Sequence, residues 1–143
     1  MLFRSLENFL FLFNDSYYLS SFVTTIFFST SVSVLSMGLG LYFALLADRI
    51  FKGAGVYKTL LIWPYAVAPA VAGVLWMFLF SSRIGVVSWY LGLLGYDWNH
   101  ALNSEEAMGL VVLASTWGRI SYNFYFFLLD YKLFQNPLLK LQP

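Results

Sequence analysis

The sequence predicts an all-α membrane protein with about three transmembrane helices, its N-terminus periplasmic and its C-terminus cytoplasmic. Three observations lead there. Of 143 residues, 60% are hydrophobic and 10% charged, against roughly 45–50% and about 25% in soluble domains. Long stretches carry no charge at all: Asp15 to Asp48 and Lys58 to Arg83 enclose two of them. Each exceeds the ~20 residues needed to cross a ~30 Å hydrocarbon layer. Alternation at period two is missing, which argues against a barrel, and in lipid the backbone must then bond to itself in helices. The net charge of +1 and the lack of a basic patch give no sign of nucleic-acid binding. With no cysteine, disulfides and thiolate metal sites are excluded.

The first span is expected over residues 22–47. It is rich in small and hydroxyl residues. Ser29, Ser33, Ser36 and Gly40 share one face at i, i+4, i+7 and i+11. Such a stripe lets helices approach closely in lipid, or lines a solute path. The second span is expected over residues 59–80, "TLLIWPYAVAPAVAGVLWMFLF", and contains Pro64 and Pro69. A membrane helix accepts proline where neighbours satisfy the freed carbonyls, so these residues predict a bent helix packed inside a bundle.

Residues 83–100, "RIGVVSWYLGLLGYDWNH", are apolar but short, with Asp97 near the end. They carry three glycines, and Trp89, Tyr90, Tyr96 and Trp98 suit a headgroup boundary. An external interfacial or re-entrant element is expected there. His100 is the only histidine and has no ligand cluster near it in sequence, so no metal site is expected.

The third span is expected over residues 108–129, with Arg119 about midway in "ASTWGRISYNFYFF". A charge at that depth costs at least ~2.5–3.5 kcal/mol on insertion scales and should face a partner or a water-filled cavity. Ser115 and Asn123, at i−4 and i+4, share its face. Arg119, Asn123 and Ser115 are therefore candidate substrate-path residues, with a purely structural ion pair as the other reading. A guanidinium can fork onto an anion such as phosphate.

Orientation follows from basic residues. The loop at 48–58 carries Arg49, Lys52 and Lys58, which places it in the cytoplasm and the 81–106 loop outside. The N-terminus then lies outside, yet "MLFRSLENFLFLFND" has no A-x-A cleavage site and is too short to span. The expectation is that an earlier span is missing and Met1 is not the natural start of the fold. No Ser-His-Asp pattern, paired carboxylates at membrane depth or phosphate loop is visible, so no enzyme chemistry is expected. ATP hydrolysis would need a separate subunit.

The segments "WPYAVAPAVAGVLWMFLF", "LENFLFLFNDSYYLSSFVTTIFFST", "GYDWNHALNSEEAMGLVVLAS" and "ISYNF" resemble, in sequence and order, permease subunits of binding-protein-dependent ABC importers of the glycerol-3-phosphate type. The resemblance runs from about Leu6 to Phe127. It implies a six-helix inner-membrane domain of which this chain holds the second to fourth helices. It also implies a second permease subunit, two ATP-binding subunits, a periplasmic solute-binding protein, surrounding membrane lipid and no cofactor. The implied solute is sn-glycerol-3-phosphate, with glycerophosphodiesters as further solutes. A sugar-type importer permease and a small three-helix membrane adaptor stay open as alternatives.

After the fourth helix such permeases carry a loop of the type "SLIEAAAIDGA". Here the chain reads "LLDYKLFQNPLLKLQP". Codons for that stretch, read from the third base, can spell "AGLQTIPKSLIEAAA". The expectation is a partial permease domain over 1–127 followed by an out-of-frame tail over 128–143, and a chain inactive by itself.

Overall fold

A computed structural model describes residues 11–49 and 54–135. The stretch at 1–10, much of the basic loop at 48–58 and the tail beyond 135 lie outside the described residues. Every regular element among the described residues is helical. They are α1 (Ser16–Arg49), α2 (Ala54–Ala66), α3 (Pro69–Leu79), α4 (Val86–Leu93) and α5 (Ser104–Gln135). The chain divides into two compact units, residues 1–31 and 32–143.

In the first unit, residues 11–14 are helical and Asp15 opens α1. The Tyr17 N–H donates to Asp15 Oδ1 at 2.9 Å and the Leu19 N–H to the Asp15 carbonyl at 3.1 Å. This is an N-cap, with a carboxylate at the positive end of the helix dipole. The first half of α1 then turns bulky apolar side chains outward: Tyr17 is 84% exposed and Phe27 60%. Its hydroxyls bond within the helix: Thr24 donates to the Ser20 carbonyl and Thr25 to that of Ser21, at 2.9 and 2.8 Å. Hydroxyls satisfied in this way can face an apolar medium.

The second unit holds the rest of α1 and the other helices. Its buried stripe on α1 is Val32, Ser36, Gly40, Ala44 and Ala47. The expected stripe is half right. Ser36 and Gly40 are on it, but Ser33 turns outward, as does Ser29 in the first unit. Ser33 stands three residues before Ser36, about 60° round the helix at 3.6 residues per turn, and so lies off the line of Val32, Ser36, Gly40 and Ala44. At Gly40 a β-carbon would stand 2.7 Å from Asn123 Cβ and 3.0 Å from the Phe124 amide nitrogen. Glycine is what allows α1 and α5 to meet backbone to backbone. Around it a small core forms from Ala44, Ala47, Phe124 and Leu128, flanked by Phe43, Tyr57, Leu61 and Phe127. Tyr57 meets Phe124 edge to face with ring centres 6.3 Å apart, and its hydroxyl donates to the Phe43 carbonyl at 3.2 Å.

The expected second span is two helices rather than one. α2 continues through Pro64, ends at Ala66, and meets α3 at a bend of 101°. The break belongs to Pro69. Its ring pushes the preceding residue out of the helical region, and Ala68 sits at φ −58°, ψ 132°. Pro69 itself opens α3, where a missing N–H costs nothing. Pro69→Ala should therefore straighten the pair, while Pro64→Ala should not. Spin labels at Val56 and Met77, both exposed, would move apart by on the order of 10 Å in the Pro69 variant, at 1.5 Å of rise per helical residue. An unchanged distance would place the cause of the bend elsewhere.

α2 packs along α5, and α3 touches both α5 and α4. The segment expected to be interfacial folds as the short helix α4 between two tight turns. Gly85 caps its start: a β-carbon there would stand 2.5 Å from the Ser81 carbonyl oxygen and 2.6 Å from that of Leu79. Gly95, at φ 84°, closes its end in a Schellman arrangement, with Tyr96 N–H bonded to the Leu91 carbonyl and Gly95 N–H to that of Gly92. Trp98 ties this segment to α3. Its indole N–H donates to the Phe80 carbonyl at 2.9 Å, as does the Ser88 hydroxyl. Both satisfy the free C-terminal end of α3.

Asn103 caps α5 through its carboxamide oxygen and the Glu105 N–H at 3.1 Å. Glu106 reaches back to the Tyr96 hydroxyl, the Asn99 N–H and the Asn103 carboxamide at 2.9, 2.7 and 3.2 Å. These three bonds fix the loop onto the start of the helix. The Glu106 hydrogen bond, and then its charge, hold the Tyr96 phenol above its ordinary titration range.

Among the described residues, α1 is the one helix both long and apolar enough to cross a bilayer, and the bent α2–α3 pair makes a second if taken as one span. The expected third span corresponds to α5. That helix has 32 residues, ample length, but Ser115, Thr116, Arg119, Ser121 and Asn123 make its middle too polar to pass alone. Large apolar side chains face outward throughout the second unit too, Trp63 at 65% and Met77 at 64% exposed. So much exposed apolar surface marks a chain meant for lipid or for partner helices.

Candidate functional site

The break between α2 and α3 opens a cavity of about 520 Å³ against the middle of α5. Pro64 and Tyr65 border it from α2, Val67 from the break, Pro69, Ala72, Gly73 and Trp76 from α3. α5 supplies Ala114, Ser115, Trp117, Gly118 and Arg119. Two causes create the space. The bend prevents α3 from continuing along α5, and the facing positions are small. A β-carbon at Gly73 or Gly118 would meet nothing within 4 Å. Trp76 and Trp117 meet edge to face, 5.9 Å between ring centres. Trp76 then stacks on Phe80 at 5.7 Å, and Phe80 lies 5.4 Å from Trp98, so an aromatic run leads from the cavity to the stapled loop.

The structure thus brings together four of the five residues singled out from sequence. Pro64, Pro69, Ser115 and Arg119 line one cavity. Asn123 is elsewhere: its Cβ packs on Gly40 of α1. One turn of i+4 spacing rotates it 40° past Arg119, and α1 occupies that side. Arg119 is exposed to the cavity and, among the described residues, forms no ion pair. An unpaired guanidinium with a hydroxyl one turn away and indole and phenol walls can take a small anion with an uncharged body.

Sequence reasoning missed Tyr65, Trp76 and Trp117. The cue was present in part: Tyr65 directly follows Pro64, and Trp76 follows Pro69 by two helical turns. His100 lies beside Trp98, ring centres 6.2 Å apart, and its Nδ1 is buried with no hydrogen-bond partner among the described residues. Among the described residues no group of three or more His, Cys, Asp or Glu could hold a metal ion.

A helix pair broken at proline beside a mostly apolar cavity with one charged side chain suits a membrane permease, and the chain is similar to transport-system permease proteins over most of its own length. Its matching relatives carry the name sn-glycerol-3-phosphate transport system permease protein UgpA. That of Yersinia enterocolitica is 54% identical over 126 residues, covering 88% of this chain and 43% of the relative. That of Pectobacterium atrosepticum is 56% identical over the same length, and that of Shigella flexneri 57% over 125 residues. The chain therefore spans about two-fifths of the length of the curated relatives it matches. No family model matches it.

Proposed function

We propose that these helices form part of the membrane permease of an ATP-driven importer of sn-glycerol-3-phosphate, in a bacterial inner membrane. The observation that carries this reading is the 54–57% identity to permeases named for that solute. The cavity supports it, since its free guanidinium suits a phosphate ester and its walls suit a short carbon chain. In this reading α1, the bent α2–α3 pair and α5 cross the membrane as the second to fourth helices of a larger bundle. Arg119 is tolerated at depth because it faces the cavity rather than lipid. A second permease subunit, two ATP-binding subunits and a periplasmic solute-binding protein complete the assembly, and ATP is hydrolysed outside this chain.

A chimera tests it. The 126 matched residues replace their counterparts in the Yersinia enterocolitica permease, expressed with the rest of that transport system in cells lacking other uptake routes. Uptake of labelled sn-glycerol-3-phosphate above the level of cells without a permease is the expected result. A chimera that reaches the membrane and imports nothing would overturn the reading.

A further inference from the structure

Helix α4 is built the wrong way round for water. Its one buried side chain is Ser88, which donates to the Phe80 carbonyl at 2.9 Å. Val86, Trp89, Tyr90 and Leu93, at i, i+3, i+4 and i+7, share the other face. All four are more than half exposed, Leu93 at 65%. Trp89 and Tyr90 meet edge to face, with ring centres 4.9 Å apart. Between Arg83 and Asp97 the sequence has no charge. Arg83 is exposed and forms no ion pair among the described residues.

Length, backbone bonding and charge together say what covers this face. Eight residues rise only about 12 Å, so α4 cannot cross a hydrocarbon layer of about 30 Å. Residues 80–85 join it directly to the end of α3. Its C-terminal carbonyls are already taken: Leu94 N–H bonds to Tyr90 and Leu91, Gly95 N–H to Gly92, and Tyr96 N–H to Leu91. That end needs no water to satisfy it. Trp89 and Tyr90 combine an apolar ring with a polar tip, which suits the depth of lipid headgroups. A free guanidinium beside them complements the lipid phosphates. A soluble partner would leave the apolar face in water each time it departed, whereas lipid is always present.

From this we infer that α4 lies along the bilayer surface, with the Val86, Trp89, Tyr90 and Leu93 face set into lipid and Arg83 on a lipid phosphate. The inference rests on the membrane reading above and not on the identity of the solute. It also gives α4 a task. Ser88 and Trp98 both bond to the Phe80 carbonyl, so a lipid-anchored α4 holds the end of α3 at fixed depth. α3 forms one wall of the Arg119 cavity.

The chain has no cysteine, so a single introduced cysteine can carry one spin label. The test uses the 143-residue chain in nanodiscs of phosphatidylcholine and phosphatidylglycerol, with Leu93→Cys, Ile84→Cys, Ala101→Cys or Val34→Cys, all at exposed positions. Collisions with oxygen, with a water-soluble nickel chelate and with nickel carried on a lipid headgroup report depth. The ratio of oxygen to soluble-nickel accessibility at Leu93 should exceed that at Ala101 about threefold or more, because a polar chelate stays out of apolar surroundings. The label at Ile84, next to Arg83, should respond most to the headgroup nickel. Adding Arg83→Glu should cut that response about twofold or more, since like charges repel at an anionic surface, while Arg83→Lys should keep it.

Val34 lies in α1 and reports on the membrane reading separately. Lipid at Val34 with equal ratios at Leu93 and Ala101 would overturn the anchor and leave the membrane reading standing. A Leu93 label shielded from oxygen and nickel alike would mean a protein neighbour and would also overturn it. A headgroup response at Ile84 that survives Arg83→Glu would overturn the phosphate contact. Water at Val34 would overturn the membrane reading and the anchor with it.

Discussion

Gly40→Leu is expected to lower the melting temperature of the lipid-embedded chain sharply, while Gly38→Leu leaves it nearly unchanged. The two glycines lie two residues apart on α1 and would gain the same helix propensity, about 0.8–1 kcal/mol relative to glycine. Their surroundings differ. A β-carbon at Gly38 meets nothing within 4 Å, whereas one at Gly40 comes within 3.0 Å of the Phe124 amide and 3.1 Å of the Asn123 carbonyl carbon. Those are backbone atoms of a long helix and cannot swing aside. The larger side chain must drive α1 off α5 and open the core of Ala44, Ala47, Phe124 and Leu128. Overpacking of this type costs about 1–3 kcal/mol, and more where backbone must shift. Thermal unfolding in nanodiscs, followed by circular dichroism, reads the difference between the two variants. Equal melting would mean that the α1–α5 contact contributes nothing to stability.

This contact also shows what the sequence could reveal. Composition and charge gaps were enough to find α1, because Asp15 both bounds the charge-free stretch and caps the helix. Small residues pointed to a packing seam, but size alone does not say where the neighbour sits. Ser29 and Ser33 share the small character of Ser36 and still face outward. The seam is fixed by tertiary contact, and its true members include Val32, Ala44 and Ala47.

The prolines were legible as a bend and located the cavity. Its angle was not, since 101° depends on what α3 packs against once Pro69 has released it. Arg119 and Ser115 were found together because i and i+4 is a local relation. Trp76 and Trp117 could not be paired from sequence, because 41 positions separate them along the chain and only the fold of α3 against α5 joins them.

Arg119→Ala is expected to reduce uptake by the chimeric permease by roughly tenfold to a hundredfold, the loss of charge-assisted hydrogen bonds to an anion. Arg119→Lys should recover part of it, since an ammonium keeps the charge but not the planar fork. Ser115→Ala should cost about fivefold or less, as one neutral hydrogen bond does. A structural arginine would behave otherwise. Its loss would lower the amount of folded permease in the membrane, and lysine would not separate from alanine in transport per molecule.

Two features of the chain favour the functional role. Arg119 makes no ion pair among the described residues, so its removal strands no buried carboxylate there. It also lies beside Gly118 at a place where helices stand apart rather than pack. The decisive quantity is uptake normalised to permease present in the membrane. If that ratio is the same for arginine and alanine, the cavity does not read the charge of the solute, and its role in anion transport fails with it.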